Sequence, residues 1–341
     1  MVDIIHFHPS LKMAKIFVNP LIEHEKKLGY KSILITKSDK TKRQIFGVSY
    51  LFDLINFALV FIKNKPKIII AHNSIPSLTP LIMGRIFMTS RIVYFNHGVP
   101  FIGHTGLTKL ILHIIERLNC IFAKEIITVS EDMKKILNEV TNKKVLTISN
   151  GSACGIVIDK SKKNINRRHS LSKNEFHIGY VGRKNSRKGY NLIVDLWKQH
   201  YANKDGYKLF IYGTTKIKPL DLKYINNIFF MGFCNKINYS NLNCVLLPSK
   251  HEGLSYTCIE SIAEYCPIIG SNIPGIREVV SHKQSGILVE NICVMDFFLA
   301  IENVVKRAYK NFPDKECCDR TVQKYCRNKF LKHYSVFLKK K

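Results

Sequence analysis

Pro248-Ser249-Lys250-His251-Glu252-Gly253-Leu254-Ser255-Tyr256-Thr257-Cys258-Ile259-Glu260 is the stretch on which the reading of this chain turns. The apolar run Cys244 to Leu247 before it reads as a buried strand, and the residues after Ser255 take a helix-like pattern. Glu252 and Glu260 therefore flank a strand end, a glycine-containing turn and a helix start. In an open α/β sheet that is the crevice where ligands bind. The backbone N–H groups of Leu254 to Thr257 are expected as free first-turn donors, a receptor for phosphate. A carboxylate on each side suits a ligand with a charged middle and hydroxyl-bearing ends, and a nucleotide-sugar is such a ligand. The plainer alternative leaves Glu252 on a solvent-exposed loop and Glu260 on the wet face of a helix.

Upstream in the same half, a strand at Phe176 to Val181 leads into Gly182-Arg183-Lys184-Asn185-Ser186-Arg187-Lys188-Gly189. Arg183 can grip a diphosphate with two parallel hydrogen bonds, while Lys188 offers a movable point charge. Together they would stabilise the charge that builds on a departing nucleoside diphosphate. The loop fits neither GxxxxGK[ST] nor GxGxxG, and a solvated basic turn is the competing reading. In the first half, His97-Gly98 follows the strand Arg91 to Asn96. A neutral imidazole there can donate or accept a hydrogen bond near pH 7, and the glycine leaves room for a ligand. His6, His8 and His72 also fall at strand ends, but their spacing defines no metal site, and no bound metal is expected. There is no HExxH and no serine nucleophile elbow.

The rest of the chain supplies a frame. At 341 residues it has room for about two domains, and a hydrophobic fraction of 46% supports packed cores. Strands spaced by helices throughout both halves argue for mostly parallel sheets covered on two faces. The expected boundaries are 1–158 for an N-terminal Rossmann-like domain, 159–173 for a basic linker and 174–310 for a C-terminal one. A single helix at Asp319 to Phe337 is read as completing the first domain, within a segment of about 319–341. Lys12 to Leu28 is read as one helix closed by Gly29. Lys and Arg outnumber Asp and Glu by 53 to 25, a net charge of +28. Polyanions are therefore the expected partners: a phosphorylated substrate, anionic lipid headgroups or nucleic acid. Residues 306–341 hold twelve Lys or Arg against three Asp or Glu. With Tyr325, Phe330, Tyr334 and Phe337 they suggest attachment to an anionic membrane surface. Those aromatics packing on the N-terminal domain is the alternative. Ten cysteines without a CxxC pair suit a reduced, cytoplasmic protein. No segment reaches the roughly 20 apolar residues of a membrane span.

Taken in order, several pieces resemble the retaining GT-B glycosyltransferases of family 4, especially bacterial enzymes of capsule and O-antigen synthesis. These are His97-Gly98, Thr128-Val129-Ser130-Glu131, Asn150-Gly151, Gly182-Arg183 with Lys188-Gly189, and Glu252-Gly253-Leu254 with Glu260. The resemblance covers nearly the whole chain, and the Glu-x7-Glu element and the Arg/Lys pair are its specific parts. It implies a GT-B fold, two Rossmann-like domains facing a central cleft, with acceptor bound by the first and nucleotide-sugar donor by the second. Arg183, Lys188 and the backbone near Leu254 and Ser255, beside Gly253, would then meet the donor diphosphate. Glu260 would hold the ribose, Glu252 the donor sugar near the reaction centre, and His97 would lie beside that sugar. The implied reaction moves a hexosyl or N-acetylhexosaminyl group, from a UDP-sugar first of all. It goes with retention, without metal or other cofactor, to a polyprenyl-diphosphate-linked saccharide at the cytoplasmic membrane face. The chain departs from many relatives at its first loop, His6-Phe7-His8-Pro9-Ser10, which lacks a glycine pair. Either Ser10 or Lys12 serves the donor phosphates, or the loop is shaped for the acceptor. A GT-B nucleotide-sugar enzyme that is not a transferase, such as an epimerase, is the nearest rival. A basic nucleic-acid-binding protein is a more distant one, since no RNP pair, helix-turn-helix or zinc finger is present.

Overall fold

The computed structural model describes residues 2–36, 48–149, 151–152, 154–157, 175–234, 236–307 and 312–340. Asn150 and the expected linker 159–173 lie outside these. The chain divides into two compact units, one of Met1–Gly155 with Arg327–Lys341 and one of Ile156–Cys326.

Unit 1 alternates strand and helix: β1 (Ile4–His8), α1 (Leu11–Phe17), α2 (Asn19–Lys27), β2 (Ser32–Thr36), α3 (Val48–Asn64), β3 (Ile68–His72), α4 (Leu78–Ile86), β4 (Arg91–Asn96), α5 (Gly106–Phe122), β5 (Glu125–Thr128), α6 (Glu131–Val140) and β6 (Val145–Thr147). The six strands pair in parallel in the order β2-β1-β3-β4-β5-β6. β3 and β4 are largely apolar and β1 carries apolar residues beside its two histidines, as suits strands covered on both faces; Ile4, Ile5, Ile69, Ile70, Ile92 and Val93 are fully buried. Ser130 caps α6 by accepting from the Met133 N–H at 3.1 Å. Such a cap is worth about 1 kcal/mol. The expected helix from Lys12 to Leu28 is in fact two. Pro20 stands in the first turn of α2, where its missing N–H costs nothing, but it cannot continue the hydrogen-bond ladder of α1.

Unit 2 repeats the theme with β7 (Phe176–Val181), α7 (Tyr190–His200), β8 (Tyr207–Tyr212), β9 (Ile228–Gly232), β10 (Cys244–Leu247), α8 (Tyr256–Ala263), β11 (Ile268–Ser271), β12 (Gly286–Val289), α9 (Val294–Arg307) and α10 (Lys315–Lys324). Its parallel order is β12-β11-β10-β7-β8-β9, the doubly wound arrangement in which the first strand lies between the second and the fourth. The chain runs one way from β7 to β8 and the other way at β10, so the loops after β7 and β10 diverge and leave a crevice. The corresponding reversal in unit 1 falls between β1 and β3.

The expected single helix Asp319 to Phe337 is broken. α10 stops at Tyr325, whose carbonyl accepts from the Ile156 N–H at 2.9 Å instead of continuing the ladder. Its hydroxyl donates to the Glu278 carbonyl at 3.1 Å. α11 (Arg327–Lys339) then belongs to unit 1, while α10 stays with unit 2. The four aromatics of this region, Tyr325, Phe330, Tyr334 and Phe337, are all buried. They pack into protein and are not the membrane-entering side chains expected from the charge pattern.

Candidate active site

Three loops of unit 2 meet at the carboxyl ends of β7, β10 and β11. The first, after β7, is a short 3-10 turn at Ser186–Lys188, capped by Asn185, whose side chain accepts from the Lys188 N–H at 3.0 Å. The Tyr180 hydroxyl holds its two ends by donating to the carbonyls of Arg183 and Lys188. Gly189 closes the turn at φ 68°, and a Cβ there would lie 2.2 Å from the Pro248 carbonyl oxygen. Only glycine lets the loop after β7 lie against the loop after β10. The Lys250 N–H then donates to the Arg187 carbonyl at 2.8 Å. Gly275 approaches from the third loop; a Cβ on it would sit 2.7 Å from the Gly253 carbonyl oxygen.

Glu252 stands at the centre of this junction with only 9% of its surface exposed. One carboxylate oxygen accepts from the Lys188 ammonium and from the Ser249 hydroxyl, the latter at 2.7 Å. The other faces the Arg187 guanidinium at 4.0 Å. Burial alone would raise the carboxyl pKa; Lys188, Ser249 and Arg187 together outweigh it, so Glu252 is held below its ordinary value and ionised. The exposed-loop alternative for this residue is excluded by its burial. Arg187 also donates to the His251 carbonyl at 3.1 Å, whereas Arg183 lies exposed at the loop's outer edge. Of the two cations expected at the donor diphosphate, Lys188 lies on Glu252 and Arg183 on the exposed rim; the second cation facing Glu252 is Arg187.

Ser255 caps α8, accepting from the Cys258 N–H. Its own N–H, expected as a free phosphate donor with that of Leu254, donates instead to the Gly275 carbonyl at 2.9 Å. The close approach at Gly275 brings that carbonyl into reach, a tertiary contact that first-turn reasoning does not see. Further along α8, Glu260 lies on the exposed face, as the plainer alternative placed it, and accepts from the buried Tyr239 hydroxyl at 3.1 Å. Its pKa is raised, first by the protein around it, against the lowering hydrogen bond from Tyr239, with Glu264 adding repulsion.

In unit 1, the loop after β1 is organised without glycines. Ser10 caps α1 and its N–H donates to His8 Nδ1 at 3.1 Å; Lys12 lies on the exposed side of α1. His97, at the end of β4, is one of four clustered imidazoles. Its Nε2 lies 2.9 Å from His72 Nδ1, and His72 Nε2 lies 3.1 Å from His6 Nδ1. His6 Nε2 in turn reaches Glu25 Oε1 at 2.9 Å. The rings of Phe95 and Phe17 flank His97, at 4.9 and 5.5 Å between centroids. Burial, with His8 nearby, lowers the His97 pKa to about 3, so it carries no charge of its own at neutral pH. The N–H of Gly98 donates to Asn96 Oδ1 at 2.9 Å, and Asn96 Nδ2 donates to Glu116 Oε1 at 2.8 Å. Desolvation raises the Glu116 pKa to about 7 despite hydrogen bonds from Ser74, Tyr94 and Asn96. Among the described residues no grouping of His, Cys, Asp or Glu has metal-binding geometry.

Arg187, Tyr239, Glu25 and the joined histidines are what the sequence reading missed. A signal did exist for His6 and His72. Both end strands that turn out adjacent, and a spacing test for metal ligands does not ask whether the rings bond to one another.

Residues 161–314 match the family model described as glycosyl transferases group 1. A sucrose-phosphate synthase from Thermosynechococcus elongatus superposes with a TM-score of 0.78 at 15% identity, covering 99% of this chain and 98% of that one. Anabaena Alr3699/HepE, solved with UDP-glucose, superposes with a TM-score of 0.76 at 16% identity, covering 99% of both. The fold is GT-B. In sequence, the chain is 26% identical over 323 residues to the capsular polysaccharide biosynthesis glycosyltransferase CapM of Staphylococcus aureus, spanning 87% of this chain and 84% of that protein. The family match includes both loops that meet at Glu252.

Proposed function

We propose that this protein is a retaining glycosyltransferase of surface polysaccharide synthesis. In this reading it moves a hexosyl or N-acetylhexosaminyl group from a UDP-sugar to a polyprenyl-diphosphate-linked saccharide. The observation that carries the reading is the buried Glu252 carboxylate paired with Lys188 and faced by Arg187, at the reversal point of the unit 2 sheet. A low-dielectric pocket holding two cations on one anion is arranged to exchange partners. An arriving diphosphate competes for Lys188 and Arg187, and Arg183 adds charge from the rim. Glu252, released, turns its oxygens to sugar hydroxyls. Glu260, held by Tyr239, has a carboxylate oxygen for ribose. The sugar then passes to the acceptor on the face it leaves, with a donor phosphate oxygen assisting removal of the acceptor proton. The capsular relative and the UDP-glucose complex of the Anabaena neighbour support the choice of donor and pathway.

Attachment to an anionic membrane surface belongs to the same proposal, but on unit 1 surface other than the C-terminal aromatics. None of the described helices is long and apolar enough to cross a membrane. The neighbouring helices α4 and α5 expose Ile86 beside Met88, and Leu107, Leu110, Ile111, Ile114 and Ile121. The α5 set recurs at helical spacing, and Lys109 and Arg117 flank it while the helix's one acid, Glu116, is buried. Such a surface suits the headgroup boundary.

The deciding experiment is a panel of UDP-, GDP- and dTDP-sugars with a synthetic lipid-diphosphate acceptor. Acceptor-dependent transfer from a UDP-sugar is expected. Transfer only from the other nucleotides overturns the UDP assignment. An altered free nucleotide-sugar formed without acceptor favours the epimerase.

A further inference from the structure

The imidazoles of unit 1 are joined ring nitrogen to ring nitrogen, and the direction of each bond follows from its inner end. Glu25 is completely buried on α2 and accepts from the Tyr334 hydroxyl of α11 as well as from His6. Burial would raise its pKa; the charge and hydrogen bond of His6, with the bond from Tyr334, bring it below the ordinary carboxylate value. An ionised carboxylate only accepts, so while Glu25 is ionised His6 Nε2 carries a proton whether or not Nδ1 does. With His6 neutral, its Nδ1 must accept from His72 Nε2, and His72 Nδ1 must accept from His97 Nε2. His97 Nδ1 is then a bare lone pair. With His6 charged, each bond reverses and His97 Nδ1 bears a proton. The outer ring thus reports the charge of a ring two hydrogen bonds away.

We propose that Glu25, His6, His72 and His97 form a proton relay whose outer end is His97 Nδ1 and whose charge comes to rest on His6 against Glu25. Uptake is balanced at each atom. A bond forms between the incoming proton and His97 Nδ1, and the Nε2–H bond of His97 breaks. That proton binds His72 Nδ1, and the Nε2–H bond of His72 breaks. The released proton binds His6 Nδ1. One proton enters, one positive charge appears at His6, and neither His72 nor His97 becomes charged. The position in the fold fits this work. β1 and β3 flank the reversal point of the unit 1 sheet, where such folds open to ligands, and His97 remains partly exposed there.

The surroundings favour charge at the inner end. The titratable groups facing the chain are Glu25 on α2, Tyr334 on α11 and His8 at the end of β1. The Tyr334 hydroxyl is held protonated by burial and by Glu25. Burial lowers the His8 pKa to about 4, and that of His72 falls well below its ordinary value, first by burial and then by repulsion from His97, His6 and His8. Among the described residues, the carboxylate bonded to this chain of rings is Glu25, at its inner end. On the glycosyl-transfer reading, on which this last step rests, the proton is that of the attacking saccharide hydroxyl, loosened by the donor phosphate oxygen and finally taken up at His97 Nδ1.

Long-range ¹H–¹⁵N correlation on the whole protein labelled in histidine, titrated without substrate, tests the relay. In one step as pH falls, His97 should exchange its Nε2–H for an Nδ1–H while staying neutral, and His6 should become imidazolium at the same midpoint. Glu25→Gln removes the negative charge and should move that step down by about one pH unit or more. Tyr334→Phe keeps the charge but removes one of its hydrogen bonds, so the carboxylate becomes more basic and the step should move up. Charging of His97 itself, separate midpoints for the three rings, or a step that neither variant moves in these directions would overturn the proposal. Because no sugar is present, the titration decides the relay even if no donor is ever transferred. If transfer is found, the acid limb of kcat/KM should coincide with the step and move with it in the variants.

Discussion

Glu252, at the reversal point of the unit 2 sheet, and Glu25, on α2 against β1 of unit 1, are both buried carboxylates, and their partners differ. Glu252 faces an ammonium and a guanidinium, groups that only donate, so its environment is an ion cluster open to competition by another anion. Glu25 faces an imidazole and a phenol, groups that hold or pass protons. Glu116, also in unit 1, meets no cation and no imidazole; its neighbours are the Ser74 and Tyr94 hydroxyls and the Asn96 amide, and burial leaves it near the point of protonation. Buried acids of one kind thus serve charge exchange, proton conduction or neutral scaffolding according to what lies beside them.

The contrast breaks first at Glu252. Glu252→Gln should reduce kcat/KM about a hundredfold or more, the scale of losing a directed electrostatic contact at a reaction centre, in a variant that still folds by circular dichroism. Wild-type kinetics in that variant would make the cluster structural only. Next in size is the cost of separating the pair. Lys188→Met should lower stability by about 3 kcal/mol, because a buried anion loses its main counter-charge. The double variant Lys188→Met with Glu252→Gln should recover part of that loss in denaturant unfolding. Strict additivity would mean the two side chains do not couple.

Glu116 sharpens the other side. Its folded pKa, about 7, lies above the unfolded value of 4.5, so its contribution to stability is fully present below pH 4.5 and is lost as pH rises through 7. The difference has an upper size of about 3 kcal/mol. In Glu116→Gln the Ser74 hydroxyl can turn to accept from the amide, so the variant should gain on wild type in melting temperature between pH 5 and 8. Parallel pH curves would contradict the assignment. The smallest effects belong to the rim. Glu260→Gln should weaken donor binding about tenfold, since the amide keeps one acceptor oxygen and turns the other into a donor. Arg183→Ala should cost a similar factor in kcat/KM with an unchanged melting temperature, unlike Lys188, because Arg183 is exposed. A linker lysine of 160–173 replaced as a control should change neither.

Much of this fold was legible in the sequence, because strand-helix alternation and apolar runs are local signals. Phe176–Val181, Cys244–Leu247 and Arg91–Asn96 fall at their expected bounds. The breaks that were missed depended on less conspicuous features: Pro20 within an apolar helical pattern, and Tyr325, whose carbonyl leaves its helix for a partner 169 positions away at Ile156. At the candidate site, the strand-loop-helix placement of Glu252 and Lys188 was legible, while Glu260 lies on the exposed face that the plainer alternative gave it. Arg187 was not legible, because choosing between two arginines four residues apart requires the 3-10 turn that points one at His251 and leaves the other outside. The Glu25 relay was still less visible, since its members come from β1, β3, β4 and α2 and are joined only by sheet order.

The central claim is retaining transfer from a UDP-sugar, and the anomeric ¹H NMR signal of the first product formed from an α-linked UDP donor reads it most directly. The account predicts an α-linked sugar on the lipid-diphosphate acceptor, with UDP released in equal amount. A β-linked product would contradict retention, and UDP release without any new glycosidic linkage would contradict transfer itself.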